Sequence, residues 1–251
     1  MTFKELHEQN HPLVIGNVWD VPSAQAYQEA GYQALGTSSA AIAAMLGYED
    51  GQRMSFDELL FIVKRIQTRT SLPISVDIEA GYADNTAELI SNIEELCELG
   101  IAGINIEDSL SAGVRGLLPI EVLQERMAAI SAYIKENQID LFLNARSDAF
   151  LLGLPNALEA SKKRAAAYAE AGADGIFLPG IIDANDIAEI IADSTLPLNV
   201  MTLPGLPNNQ KLITLGVKRI SMGNFPQVAA QKYFAKMIET VVEDSFSSLL
   251  A

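Results

Sequence analysis

The sequence predicts a single α/β domain over residues 1–251, an eight-fold barrel of parallel strands each followed by a helix. Three observations lead there. The length of 251 residues suits one such barrel. Eight short apolar runs recur along the chain, each followed by a helical pattern. No G-x-G-x-x-G turn, which an open dinucleotide-binding sheet carries, joins any of these runs to its helix.

The elements follow in order. Leu13 to Trp19 is the first strand; the helix after it starts at Ser23 and is closed by Gly31, the residue type that ends helices most readily. Ala34 to Thr37 is the second strand. A helix lies within Ser55 to Thr68, with Leu59, Leu60, Ile62, Val63 and Ile66 as its apolar stripe. Ser71-Leu72-Pro73 leads into the third strand, Ile74 to Glu79, and Thr86 to Leu99 forms the next helix, ended by Gly100. Ala102 to Glu107 is the fourth strand. Its helix, Ile120 to Asn137, begins after Pro119 at a first-turn position. The fifth strand is Leu141 to Arg146, followed by the alanine-rich helix Ala157 to Ala171. Gly175 to Leu178, Leu198 to Met201 and Arg219 to Met222 are the last three strands, and a helix from Gln227 to Val242 closes the chain.

Composition narrows the function. Hydrophobic residues make up 49%, enough for a large core, and 17 Lys plus Arg against 32 Asp plus Glu give a net charge of −15. A nucleic-acid-binding chain shows a basic stripe, and none is present. The N-terminus is polar, without the apolar stretch of a signal peptide, and no run is long enough to span a membrane. These features predict a cytoplasmic protein. The one cysteine, Cys97, falls in a helical pattern and reads as a small core residue rather than a nucleophile.

In such barrels chemistry sits at the C-terminal ends of the strands. There the sequence places Asn17, Asp20, Thr37 to Ser39, Asp77, Glu79, Glu107, Asp108, Arg146, Asp148 and Asn199, with Asp50 in a loop. Asp77 and Glu79 are two apart, so on a strand they share a face. Carboxylates gathered at one barrel end repel one another unless a positive group sits between them. A hard divalent cation with oxygen ligands, Mg²⁺ before Mn²⁺, is the simplest such group. Arg146 is the natural clamp for a substrate carboxylate or phosphoryl group, because its planar fork binds two oxygens at once. The competing reading makes these residues internal ion pairs that tie strand ends together. Thr37-Ser38-Ser39 likewise reads either as a helix cap or as a grip on a small anion. His7 and His11 precede the barrel and are expected to take no part in catalysis.

Asn17-Val18-Trp19-Asp20, Gly36-Thr37-Ser38-Ser39-Ala40, Gly47-Tyr48-Glu49-Asp50, Asp77-Ile78-Glu79-Ala80-Gly81-Tyr82, Asn105-Ile106-Glu107-Asp108-Ser109 and Ala145-Arg146-Ser147-Asp148-Ala149-Phe150 occur in this order. Together they resemble the isocitrate lyase and phosphoenolpyruvate mutase superfamily, over nearly the whole chain. The resemblance implies an Mg²⁺ site on Asp77, Glu79 and Glu107, partly through water, with Asp50 beside it. It implies that Thr37, Ser38 and Ser39, helped by Arg146, hold a substrate carboxylate; Asn199, from its place at the end of the seventh strand, is read as a further substrate contact. It implies cleavage of a C–C or P–C bond next to a small 2-oxo or 2-hydroxy carboxylate through an enolate. It also implies a homo-oligomer, a dimer or tetramer, and the apolar positions Val228, Phe234, Met237, Ile238 and Val241 of the last helix fit that role.

The departures concern proton transfer. Lyases of the superfamily carry a loop cysteine after the fourth strand and mutases a lysine and an asparagine, whereas residues 109–118 here contain neither cysteine nor lysine. Arg115 is the one charged residue of that loop and is expected to act by charge. Where lyases place a glutamate near the end of the sixth strand, this chain has Leu178-Pro179-Gly180. The alternative function is a barrel that binds a carboxylate without turnover.

Overall fold

The computed structural model describes residues 1–110 and 115–242. Its elements run β1 (Leu13–Val14), β2 (Gly16–Val18), α1 (Val21–Glu29), β3 (Leu35–Thr37), α2 (Ser39–Leu46), α3 (Phe56–Gln67), β4 (Ile74–Asp77), α4 (Thr86–Glu98), β5 (Gly103–Glu107), β6 (Ser109–Leu110) and β7 (Gly116–Leu117). They continue with α5 (Ile120–Glu136), β8 (Phe142–Arg146), α6 (Ala157–Glu170), β9 (Gly175–Phe177), α7 (Ala184–Asp193), β10 (Leu198–Met201), α8 (Asn209–Leu215), β11 (Arg219–Ser221) and α9 (Phe225–Val242).

The main sheet has the order β1-β11-β10-β9-β8-β5-β4-β3-β2, and its pairings are parallel. Only Ile15 separates β1, which pairs with β11, from β2, which pairs with β3. The two segments are therefore halves of one strand, and that strand closes the ring. Ile74, Val76, Ile104, Ile106, Leu143, Ala145, Ile176, Leu198 and Val200 are buried under the surrounding helices, as strands covered on both faces require. Helix starts follow from local chemistry. Ser55 accepts from Glu58 N–H while Glu58 accepts from Ser55 N–H, a reciprocal cap on α3.

Three elements were not anticipated from the sequence. Helix α2 follows directly on β3, with Ser38 as its N-cap. Residues Glu5–His7 form a short 3-10 helix that stoppers the barrel: His7 stacks on Phe142 at 4.1 Å, and Phe3 packs edge-on against both. The segment after Asp108 is an antiparallel hairpin, β6–β7, rather than a plain loop. Its residues 111–114, read above as part of a loop without cysteine or lysine, lie outside the described residues.

Candidate active site

At the C-terminal ends of the strands lies a cavity of about 240 Å³. Asp50, Asp77, Glu79, Glu107, Arg115 and Arg146 line it together with Thr37, Ser38 and Ser39. The fold thus brings these predicted residues together, while Asp20, Asp108, Asp148 and Asn199 stand outside the lining; of these four, Asn199 is the one read as a substrate contact. That side chain lies beneath the cavity floor, where Asn144, Ser221 and backbone carbonyls take up its amide. Asp20 caps α1 instead.

Asp77 is oriented by its neighbours on β3 and α2. Its carboxylate accepts from Ser39 Oγ at 2.9 Å and from Glu79 N–H at 3.4 Å, and its own N–H donates to Thr37 Oγ1 at 2.8 Å. Ser39 thus donates to Asp77, whereas Thr37 only accepts from it and keeps its own hydroxyl proton. The first-turn N–H groups of α2 have no intrahelical acceptor, and Ser38 takes up that of Ala41. Ser38 caps that helix, as the cap reading has it, and also lines the cavity.

Glu79 reaches the cavity by a route that strand alternation does not describe. β4 ends at Asp77, and Glu79 has φ 46°, a left-handed conformation that costs a non-glycine residue about 1–2 kcal/mol. Tyr82, also at positive φ, donates its hydroxyl to Glu79 Oε1 at 2.8 Å. Burial pushes Glu79 up to about 7, and the nearby charges of Asp77 and Asp50 add to that rise.

Glu107 lies deepest among the acids and Arg146 holds it at 2.8 Å. Arg146 also donates to Asp148 through Nε at 2.8 Å and rests over the Phe177 ring. Arg115 comes back from the hairpin to Asp148 at 2.9 Å, Glu107 at 3.2 Å and Asp50 at 3.6 Å. Ser109, which sequence reasoning passed over, bridges Glu107 and Asp148 at 2.9 and 2.7 Å. Burial drives Glu107 up to about 8 against the pull of Arg146. For Asp148 burial also opposes the charge, but Arg146 overcomes it and holds the carboxyl below its ordinary range. The internal ion-pair reading is thus also correct, since the same pairs that tie strand ends together fix the two guanidinium groups at the cavity.

Four carboxyl groups against two guanidinium groups leave the cavity short of positive charge once all four are ionised, and the upward push on Glu79 and Glu107 shows that their ionisation calls for a further cation. Among the described residues no three acidic, histidine or cysteine side chains close on one point. A cation held here would therefore draw part of its shell from water or substrate. The all-oxygen donor set fits a hard divalent ion. Cys97 takes no part: it packs partly buried on α4, and burial pushes its thiol up to about 11.

Residues 3–242 match the phosphoenolpyruvate phosphomutase family model. The chain belongs to that family. It is 34% identical over 230 residues to an uncharacterized protein of Mycobacterium tuberculosis strain H37Rv, covering 91% of this chain and 84% of that one. It is 30% identical over 239 residues to the oxaloacetate decarboxylase of Pseudomonas fluorescens, covering 92% and 80%. Among solved structures, a candidate phosphonomutase from Burkholderia cenocepacia superposes with a TM-score of 0.89 at 36% identity, covering 95% of this chain and 97% of that one. The family consists of lyases and phosphonomutases, and this member is an enzyme of that kind.

Proposed function

We propose that this enzyme is a Mg²⁺-dependent lyase that breaks the bond from C3 to its carboxylate in a small 2-oxo acid, leaving an enolate, with oxaloacetate-like acids as the substrate class. The observation that carries the reading is the pinned Arg146, aimed into a small cavity whose other walls are carboxylates and the N-terminus of α2. Asp77, Glu79 and Glu107 would hold the metal, Mg²⁺ or Mn²⁺, with Asp50 at the rim. When bound, such an ion stabilises negative charge developing on the substrate's oxo group.

The chain's own residues supply the rest. The first-turn N–H groups of α2 and the Arg146 guanidinium bind and orient the substrate carboxylate. Ser39 and Thr37 keep Asp77 in place, and Tyr82 does the same for Glu79. Arg115 orients the carboxylate on C3 by charge until the C3–C4 bond breaks, when that group leaves as CO2 and its bonding electron pair passes to the enolate; a guanidinium does not release a proton near neutral pH. With neither cysteine nor lysine in the loop, protonation of the product enolate falls to water. We further propose that the enzyme works in the cytoplasm as a homo-oligomer joined partly through α9.

The test is exchange at C3 of pyruvate or oxaloacetate in deuterated water, with and without Mg²⁺. Metal-dependent exchange above the background rate is expected, and its absence indicates a barrel that binds carboxylates without turnover. Calorimetry separates the metal assignment: Asp77→Ala should lose Mg²⁺ affinity in the presence of oxalate, and equal affinity in both proteins removes Asp77 from the site.

A further inference from the structure

Two side-chain amides in the cavity wall have orientations dictated by their neighbours. Asn105 on β5 and Asn17 on β2 both line the cavity, at only 7% and 6% exposure. Asn105 Oδ1 accepts from Asn144 Nδ2 at 2.8 Å and from Arg219 Nη2 at 3.4 Å. A guanidinium only donates, so the amide atom facing Arg219 must be the oxygen. Asn17 Oδ1 accepts from the backbone N–H of Met222 at 2.6 Å, and a backbone N–H is likewise only a donor. In each amide the Nδ2 group remains, and among the described residues it has no acceptor.

Both side chains are more than nine-tenths buried, and their donors open on to the cavity. A side chain at Gly36 would meet Ile15 at 2.8 Å and would also lie 3.8 Å from Asn17 Nδ2. Arg219 is buried inside the barrel behind Asn105. Burial pushes its guanidinium down to about 9, which leaves it cationic at neutral pH, and its charge polarises the Asn105 amide toward donation. A donor that opens only on to a small cavity takes its partner from what occupies that cavity, water or ligand.

We propose that Asn105 is a substrate-contacting, specificity-determining residue: its Nδ2 donates to an acceptor oxygen of the bound acid, with Asn17 Nδ2 as a second donor. The pair selects small acids that present only acceptor oxygens to this wall, as a carboxylate or a 2-oxo group does, over acids that present an alkyl group there. The inference rests on the 2-oxo acid reading of the same cavity.

The experiment is calorimetric titration of oxalate, at saturating Mg²⁺, into wild type, Asn105→Asp and Asn105→Ala. Asn105→Asp keeps the acceptor for Asn144 and Arg219 and places a carboxylate beside the buried guanidinium, so it is expected to fold. It replaces the free N–H group with an oxygen. Oxalate affinity should fall about tenfold or more in both variants, as expected for loss of a hydrogen bond to a charged group. Unchanged affinity in Asn105→Ala overturns the inference, and loss confined to Asn105→Asp does so too, because it marks simple charge repulsion. Asn17→Ala gives an independent arm, with a smaller loss expected and an unchanged affinity removing Asn17 from the pair. Failure of oxalate to bind wild type overturns the underlying reading of the site and the inference with it.

Discussion

Glu107 and Asp108 are adjacent carboxylates with opposite fates. Successive residues of a strand point to opposite faces, so Glu107 enters the cavity while Asp108 turns outward to α6. There Arg164 meets Asp108 at 2.8 Å and Tyr168 donates to it at 2.9 Å. Asp108 in turn accepts from the N–H of Asp148 at 3.1 Å, which ties this buried pair to the wall of the site. Removing one partner of such a pair leaves an uncompensated charge, so Arg164→Met should lower stability by about 3–5 kcal/mol. Urea denaturation measures it, and Asp108→Asn in the same chain should restore part of the loss. Arg146 carries a different expectation. Its fork spans Glu107 and Asp148, a geometry that a single ammonium cannot reproduce. Arg146→Lys should therefore weaken oxalate binding by about tenfold or more despite the retained charge, as calorimetry would show. Unchanged affinity would make Arg146 purely structural.

The same contrast explains how much of each element was legible. Strands and helices were readable because apolar periodicity and glycine punctuation are local signals: β10 matches its expected span of Leu198 to Met201, and α4 ends one residue early. The carboxylates were readable because charge in an apolar run is conspicuous. Asn105 was not singled out, although its spacing of two residues from Glu107 on one strand places both on the inner face. Arg219, a charge within an apolar strand, was a similar missed signal. The contact between Arg115 and the acids depends on hairpin geometry, and Glu79's approach depends on a left-handed residue, neither of which has a sequence period. The N-terminal stopper was invisible for the same reason, because what buries His7 is Phe142, far along the chain. Burial, with the charge of Arg219 adding, lowers His7 to about 3, while Nδ1 contacts Phe3 O at 2.9 Å. A base with a depressed folded pKa is stable when neutral, so its contribution is complete above the unfolded value near 6.5 and is lost as pH falls toward 3. The stability difference between wild type and His7→Leu should therefore shrink by about 1.4 kcal/mol per pH unit between pH 6.5 and 4. Denaturation midpoints across that range check it, and a constant difference would mean that His7 is protonated in the fold.

At the scale of the whole molecule, a net charge of −15 surrounds a site proposed above to take an anion. Attraction must come from the few cations set at the cavity, Arg115 and Arg146, with Arg219 behind its wall. Charge of one sign also keeps copies of a chain apart, so any association has to rest on apolar surface. That surface is α9. Of its 18 residues only Gln227 is buried, while Phe225, Tyr233, Phe234 and Ile238 are exposed, Tyr233 at 71%. Met237 and Val241 flank the same stripe and are half-buried. An isolated helix presenting such a stripe to water is marginal, and most helical stability in proteins comes from packing an apolar face. No element of the described chain covers this one, so a second copy is the natural cover, and dimer or tetramer is the expected state. Light scattering at micromolar concentration should give a mass well above the 27.1 kDa of one chain. Phe234→Asp combined with Ile238→Asp should return it to the single-chain mass while the barrel keeps its melting behaviour, because neither side chain contributes to the core. A wild-type mass of one chain contradicts the assignment, and an unchanged oligomer in the double variant moves the interface away from α9.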